Sequence, residues 1–352
     1  MLLHAFIAAV VLTAPASPRH LVVLTHGLYG GAANLIVLEQ KLQAIGGPTV
    51  LVHRAQCNEG QTRDGVAAGG RRLAEEVKKV AASHPSLQEL SLVGNSLGGL
   101  YVRYAARELL DHGRMAGLEP HTLVTTGCPH LGVRRYTWLP LPSVLPPAGK
   151  IVAGATADDL LLRDSTVSTP LLVEMSAPDS DFGAALRAFR RRRLYANVRG
   201  DFMVPFGTAA LETGDWAAGV NDGALAKTYL DRPGASFRDD LVCRGLEDGV
   251  AAVWEGDAAP PPPSPPPPLE GPAEAEEVTY EERMRCGLEQ CGPWSKAAVA
   301  FRTATTLTPF AHNRLVALRR EGWRRGFEFI EQAHVGERVC AHCAQYILER
   351  ER

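Results

Sequence analysis

Gly94-Asn95-Ser96-Leu97-Gly98 sets one serine between glycines in a G-x-S-x-G pentapeptide. That arrangement suits nucleophilic acyl transfer, in which an activated hydroxyl attacks a carbonyl and a pair of N–H donors holds the oxyanion. Five residues recur by chance, so the flanks decide. The apolar run Leu90–Val93 precedes the motif and the helical sequence Leu100–Leu110 follows it. A strand must therefore turn sharply into a helix at Ser96. Gly94 and Gly98 remove the Cβ atoms that would collide in such a turn. The Leu97 N–H then falls at a helix start, where unpaired donors and the dipole favour an anion.

A second donor is expected in His26-Gly27-Leu28-Tyr29-Gly30-Gly31, directly after the apolar run His20–Thr25. Gly27 permits the turn, and the Leu28 N–H is the expected partner of the Leu97 N–H. Such a donor is worth about 3 kcal/mol of barrier. His26 reads as structural, because in this plan the base follows the acid late in the chain.

The acid is sought between the nucleophile and the base. Asp201 follows the β-rich run Leu194–Val198 and Gly200, placing a carboxylate at a strand end where it can orient an imidazole. Asp222, in Asn221-Asp222-Gly223, is the rival and reads as a turn residue. Of the late histidines, His312 stands in a loop after the strand-like Ala297–Phe301 and before helical sequence. His334 and His342 fall within the final helix, where a packed or solvated role suffices. Ser96, Asp201 and His312 are the expected triad.

These residues need a frame to hold them. Short β-rich runs alternate with amphipathic helices, the pattern of a mostly parallel sheet flanked by helices. Strands are expected at His20–Thr25, Thr49–His53, Leu90–Val93, Thr122–Thr126 and Leu194–Val198. Helices are expected at Asn34–Leu42, Gly65–Ala82, Leu97 to about Asp111, and from Arg319 onward with a break near Gly336. One α/β domain is expected over residues 18–352, with a cap-like insertion at 133–190. Within it, the Pro-rich apolar stretch Tyr136–Lys150 reads as a lid or acyl pocket, or as a loop packed for stability. Residues 256–278 read as a disordered Pro-rich and acidic insertion, a spacer or a ligand for a recognition domain. Residues 1–17 read either as a signal peptide or as an apolar segment of the fold, which leaves the compartment open between secretory and cytoplasmic.

The chain has 352 residues, 45% hydrophobic and 22% charged, with a formal net charge of −2. No global field therefore draws it to nucleic acid, and none is expected as a partner. The dense basic run Arg190–Arg193 reads as the solvated end of a helix rather than a phosphate contact. Cys340-x-x-Cys343 and Cys286-x₄-Cys291 are compatible with a zinc site, a disulfide or ordinary thiols. Ordinary thiols are the expectation, with no metal and no organic cofactor.

Several ordered motifs together resemble one known family: LVVLTHGLYGGAANL, Asn58 with Thr62, Asp64 and Gly65, GxRLAEEV ending at Val77, SLVGNSLGGLYVRYA, TTGCPHLGVRR, FRRRRLYANVRGDFMVPFGT and PFAHNRL. The resemblance is to the lipase-like serine esterases, a domain-of-unknown-function group of α/β-hydrolases. It implies that fold, esterase or lipase activity on acyl or lipid esters, and peripheral contact with a membrane or lipid droplet. It also sets Ser96, Asp201 and His312 on the family's triad positions, and gives His130 a role in shaping the loop beside the nucleophile. Arg314 departs from the polar amide more usual after His312-Asn313. The same triad serves acyltransferases and thioesterases, and an idle lipid-binding or scaffold protein is the alternative of another class.

Overall fold

The computed structural model describes residues 17–134, 153–164, 169–197, 200–201, 203–213, 250–257, 273–301, 311–318 and 333–349. Seven strands form one sheet: β1 (His20–Thr25), β2 (Val50–Arg54), β3 (Glu89–Asn95), β6 (Glu119–Thr126), β7 (Arg191–Asn197), β8 (Val250–Asp257) and β9 (Ser295–Phe301), in the order β2-β1-β3-β6-β7-β9-β8. All neighbours are parallel except β8, which pairs antiparallel with β9 at the edge. The short β4 (Leu110–Asp111) and β5 (Arg114–Met115) form a separate hairpin.

Alternation along the strands builds two cores. Leu21 and Val23 of β1 join one apolar cluster, whereas Val22 and Leu24 join the other. The first cluster is closed by α2 (Val66–Ser83) and α3 (Leu97–Leu109); the second by α1 (Ile36–Gly46) and α10 (Ala333–Leu348). Both faces of a parallel sheet are thereby removed from water, and its central strands read as continuous apolar runs. Each fully buried Leu or Val contributes about 1.5–3 kcal/mol, so the frame under the strand ends is rigid.

The remaining helices are α4 (Ala155–Leu160), α5 (Leu171–Glu174), α6 (Asp181–Ala188), α7 (Phe206–Ala210), α8 (Ala273–Gln290) and α9 (Ala311–Arg314). Within the expected insertion 133–190, Leu172, Val173, Phe182 and Leu186 are buried in the first core. Tyr136–Lys150 lies outside the described residues, as do residues 1–16.

Several expectations are corrected. The run Arg190–Arg193 is not a helix end, for Arg191–Arg193 open β7. Arg192 and Arg193 are buried: Arg192 Nη1 donates to the carbonyls of Leu186 and Phe189, satisfying the end of α6, and Arg193 donates to Ser295 Oγ and stacks on Tyr346. The helix α10 passes through Gly336 without a break. A Cβ there would come within 2.0 Å of the Arg314 carbonyl oxygen, so this glycine serves close packing. Strand β8 and helix α8 were not anticipated. β8 ends at Asp257 and α8 begins at Ala273; 258–272 lie outside the described residues.

Six cysteines, Cys57, Cys128, Cys286, Cys291, Cys340 and Cys343, are free thiols. Cys291 belongs to the first core and Cys340 and Cys343 to the second, so the two pairs do not converge. Among the described residues no helix is long and apolar enough to cross a membrane.

Candidate active site

Ser96 stands in the turn between β3 and α3 at φ 56°, ψ −129°, a left-handed region that costs a side-chain-bearing residue about 1–2 kcal/mol. Its N–H donates to the Thr126 carbonyl of β6 at 2.8 Å, and its own carbonyl accepts from Gly99 N–H at 2.9 Å. The elbow is crowded on every side. A Cβ on Gly27 would lie 2.6 Å from Ser96 Cβ, one on Gly98 2.4 Å from the Thr25 carbonyl oxygen, and one on Gly94 2.4 Å from the Gly98 carbonyl oxygen. The strained turn therefore depends on three glycines from two strand ends.

The turn after β1 is pinned donor by donor. Tyr29 N–H donates to Thr62 Oγ1 at 3.0 Å, Gly30 N–H to the Gly27 carbonyl at 3.0 Å and Gly31 N–H to Asn34 Oδ1 at 3.1 Å. The Leu28 N–H just before them has no hydrogen-bond partner among the described residues. Leu97 N–H opens α3 and has no intrahelical partner either. His26 is buried with Nδ1 against the Gly27 carbonyl at 3.0 Å, and burial holds its pKa below the usual imidazole value.

Asp201 and His312 are brought together from opposite ends of a 111-residue separation. His312 Nδ1 meets Asp201 Oδ2 at 2.8 Å, with both residues buried. Asn197 Nδ2 donates to the same oxygen at 2.8 Å, while Oδ1 accepts the N–H groups of Met203 (3.1 Å) and Val204 (2.9 Å). Ala311 N–H donates to the Gly200 carbonyl at 3.1 Å, tying α9 to the acid's loop. A carboxylate so held fixes the tautomer: Nδ1 carries the proton and Nε2 is left as the acceptor. His312 Nε2 is buried with no hydrogen-bond partner among the described residues. The ring lies against Gly127, whose added Cβ would fall 3.0 Å from Cε1, and Gly127 directly follows the Thr126 that receives the Ser96 N–H. In this structure Ser96 and His312 do not hydrogen-bond, and such contacts commonly tighten only around substrate.

His130 is fully buried, Nε2 against Thr125 Oγ1 at 2.9 Å and its ring edge-on to Trp294. Arg103 of α3, also buried, donates to the Met175 carbonyl and to Ser176 Oγ, both at 3.0 Å, and reaches His130. The turn after β6 is thus locked to α3. Cys128, in that turn, has its thiol pushed up to about 12 by burial and is no rival nucleophile.

The rivals separate differently. Asp222 lies outside the described residues, as does the side chain of His334. His342 Nδ1 is engaged with the Tyr195 hydroxyl at 2.8 Å, in the second core. Sequence reasoning missed Asn197, Gly127 and the part played by Thr62. All three lay in quoted motifs, but nothing local marks a residue that acts on another loop. Among the described residues no group of acidic, His and Cys side chains is placed to hold a metal ion.

Comparison with known proteins bears on the family of the chain. The model of a family described as "Putative serine esterase (DUF676)" matches residues 15–213, more than half the chain. "Putative lipase C4A8.10" of Schizosaccharomyces pombe is 36% identical over 208 residues, covering 55% of this chain and 26% of that protein. "Putative lipase ROG1" of Saccharomyces cerevisiae is 33% identical over 208 residues, covering 57% of this chain and 30% of that protein. The chain thus matches about a quarter to a third of the length of these relatives. Among solved structures, lipase BlEst2 of Bacillus licheniformis overlaps with a TM-score of 0.37 at 15% identity, covering 53% of this chain and 37% of that one. The thioesterase RedJ of Streptomyces coelicolor gives 0.32 at 17% identity, covering 59% and 83%. At such overlaps the likeness says nothing of substrate.

Proposed function

This chain belongs to the family described as Putative serine esterase, and on that premise we propose that it is a serine hydrolase cleaving carboxylic esters, lipid esters foremost. The observation that carries the reading is the buried Asp201–His312 pair, whose free Nε2 sits beside the turn that braces Ser96.

In this reading His312 Nε2 takes the proton of Ser96 Oγ as the oxygen attacks the ester carbonyl. Asp201 stabilises the imidazolium through Nδ1–H. The N–H groups of Leu28 and Leu97 receive the oxyanion. His312 then gives its proton to the leaving alkoxide, and water repeats the sequence on the acyl-enzyme. The cycle balances on these groups without a cofactor. Tyr29 and Met203, two of the exposed large apolar side chains, flank the oxyanion turn and the acid loop and would face a lipid substrate or its surface.

Hydrolysis of short p-nitrophenyl esters, with fluorophosphonate labelling in parallel, tests the proposal. The wild type should turn over and be labelled, and Ser96→Ala should lose both while melting at the same temperature. Unchanged hydrolysis in Ser96→Ala overturns the reading. Acyl-CoA and alcohol acceptors in the same assay separate thioesterase and transferase chemistry from hydrolysis.

A further inference from the structure

Tyr29 adjoins the free Leu28 N–H and holds φ 54°, a conformation that a non-glycine residue keeps only when its surroundings impose it. One group that holds it is Thr62. Its buried Oγ1 accepts the Tyr29 N–H at 3.0 Å and so sets the orientation of the Leu28–Tyr29 peptide. The Thr62 carbonyl has two further donors: the Tyr101 hydroxyl at 3.3 Å and Thr156 Oγ1 at 2.8 Å. Tyr101 lies one turn beyond Leu97 on α3, the helix that presents the other free donor. One residue therefore touches the supports of both N–H groups, which start on different strands.

The third link leads into the segment after the expected lid. Thr156, fully buried, receives the Gly65 N–H at 3.0 Å while donating to Thr62, and Asp159 Oδ2 receives the Val66 N–H at 2.6 Å. Together they close the N-terminus of α2, where unpaired donors would otherwise be buried. Residues 155–160 are thus bonded to the loop that holds the oxyanion turn.

We propose that Thr62 is the positioning residue of the oxyanion hole. It sets the spacing of the Leu28 and Leu97 N–H groups, and through Thr156 that spacing depends on the docking of α4. The proposal rests on the esterase reading. The bound ester bears no oxyanion, which develops only toward the tetrahedral intermediate, so a misplaced donor lowers kcat and leaves KM nearly unchanged.

Thr62→Val keeps the shape and removes the acceptor. The expected result is a 10- to 100-fold fall in kcat on a p-nitrophenyl ester, with KM within twofold. A trifluoromethyl ketone gives the discriminating readout. Ser96 Oγ adds to its carbonyl, the hydroxyl proton passes to His312, and the former carbonyl oxygen bears the negative charge. Its affinity should fall by the same factor as kcat. Thr62→Ser, which keeps the acceptor, should restore both. Thr156→Val should shift both in the same direction by a smaller factor, and it carries the test if Thr62→Val does not fold.

Wild-type turnover and fluorophosphonate labelling are read alongside, so that their absence counts against the esterase reading itself. If the wild type is active, unchanged kcat and ketone affinity in the variants overturn the role of Thr62. Loss of melting temperature and activity with the ketone's relative affinity intact reduces Thr62 to packing, and overturns it equally.

Discussion

The two ends of the parallel sheet both carry polar groups and use them differently. At the C-terminal ends of β1, β3, β6 and β7, Ser96 and Tyr29 sit at positive φ, and among the described residues the Leu28 and Leu97 N–H groups and the buried His312 Nε2 have no hydrogen-bond partner. At the N-terminal ends, a cavity of about 650 Å³ is lined by Arg19, His20, Glu89, His121, Arg190 and Arg191, among others. There the groups are largely satisfied. Arg19 donates to Gln88, Arg190 pairs with Glu119 and Glu89, Arg191 donates to the Glu349 carbonyl, and His20 meets Ser91 Oγ at 2.8 Å. This cavity therefore lies at the pole opposite Ser96. Unsatisfied donors and stored strain point to the Ser96 pole, because a buried polar group without a partner costs about 1–3 kcal/mol and persists only where something sustains it.

The sharpest way to break this contrast is at the acid. Asp201→Asn keeps the shape but disturbs the imidazole tautomer, and should lower kcat about 10³- to 10⁴-fold in an ester assay. A loss under tenfold would mean that the buried pair is structural. Next comes the crowding at the elbow. Gly27→Ala must displace Ser96, since its Cβ would lie 2.6 Å from the serine's, and should cost activity on the order of 10²-fold by the same assay.

A third test concerns the α4 anchor. Burial raises the Asp159 carboxyl to about 6 from its ordinary 3.8, with Asp164 and Asp158 adding to the rise against the Val66 N–H. The folded state then binds the extra proton between these values, so this group's contribution to stability falls as pH rises from about 4 to 6 and stays low above that. Asp159→Asn, which can still accept from Val66, should melt progressively higher than the wild type across that window. A difference independent of pH would show that the carboxyl stays ionised throughout. The smallest effect is expected at the opposite pole. Arg190→Ala removes an exposed ion pair and should change stability by about 1 kcal/mol or less, with kcat unchanged. A drop in kcat there would undo the distinction between the poles.

Much of the elbow was legible because its causes are local. Glycines around Ser96, an apolar run before it and a helix after it are consequences of adjacent residues, and the strands His20–Thr25 and Glu89–Asn95 emerge close to where periodicity put them. Elements whose reason lies elsewhere were not legible. Arg192 and Arg193 look like surface charge in sequence, yet they enter β7 buried because carbonyls of α6 and the ring of Tyr346 are waiting for them. Gly336 looks like a helix break, but its cause is the Arg314 carbonyl of another segment.

Sequence alone determined that Ser96 would stand at a strained strand-to-helix turn, that Gly27 would open the facing turn, and that Asp201 and His312 would follow in that order. Covalent neighbours and patterning suffice for the two turns; the choice of Asp201 and His312 also drew on the expected order of a triad and on the resemblance. Only the tertiary structure decided that His312 would meet Asp201 at 2.8 Å, that the N–H groups of Tyr29, Gly30 and Gly31 would be bonded while that of Leu28 has no partner among the described residues, and that Thr62 would hold that turn. Hydrogen bonds between groups far apart in the chain depend on distances the fold sets, and no local pattern encodes them.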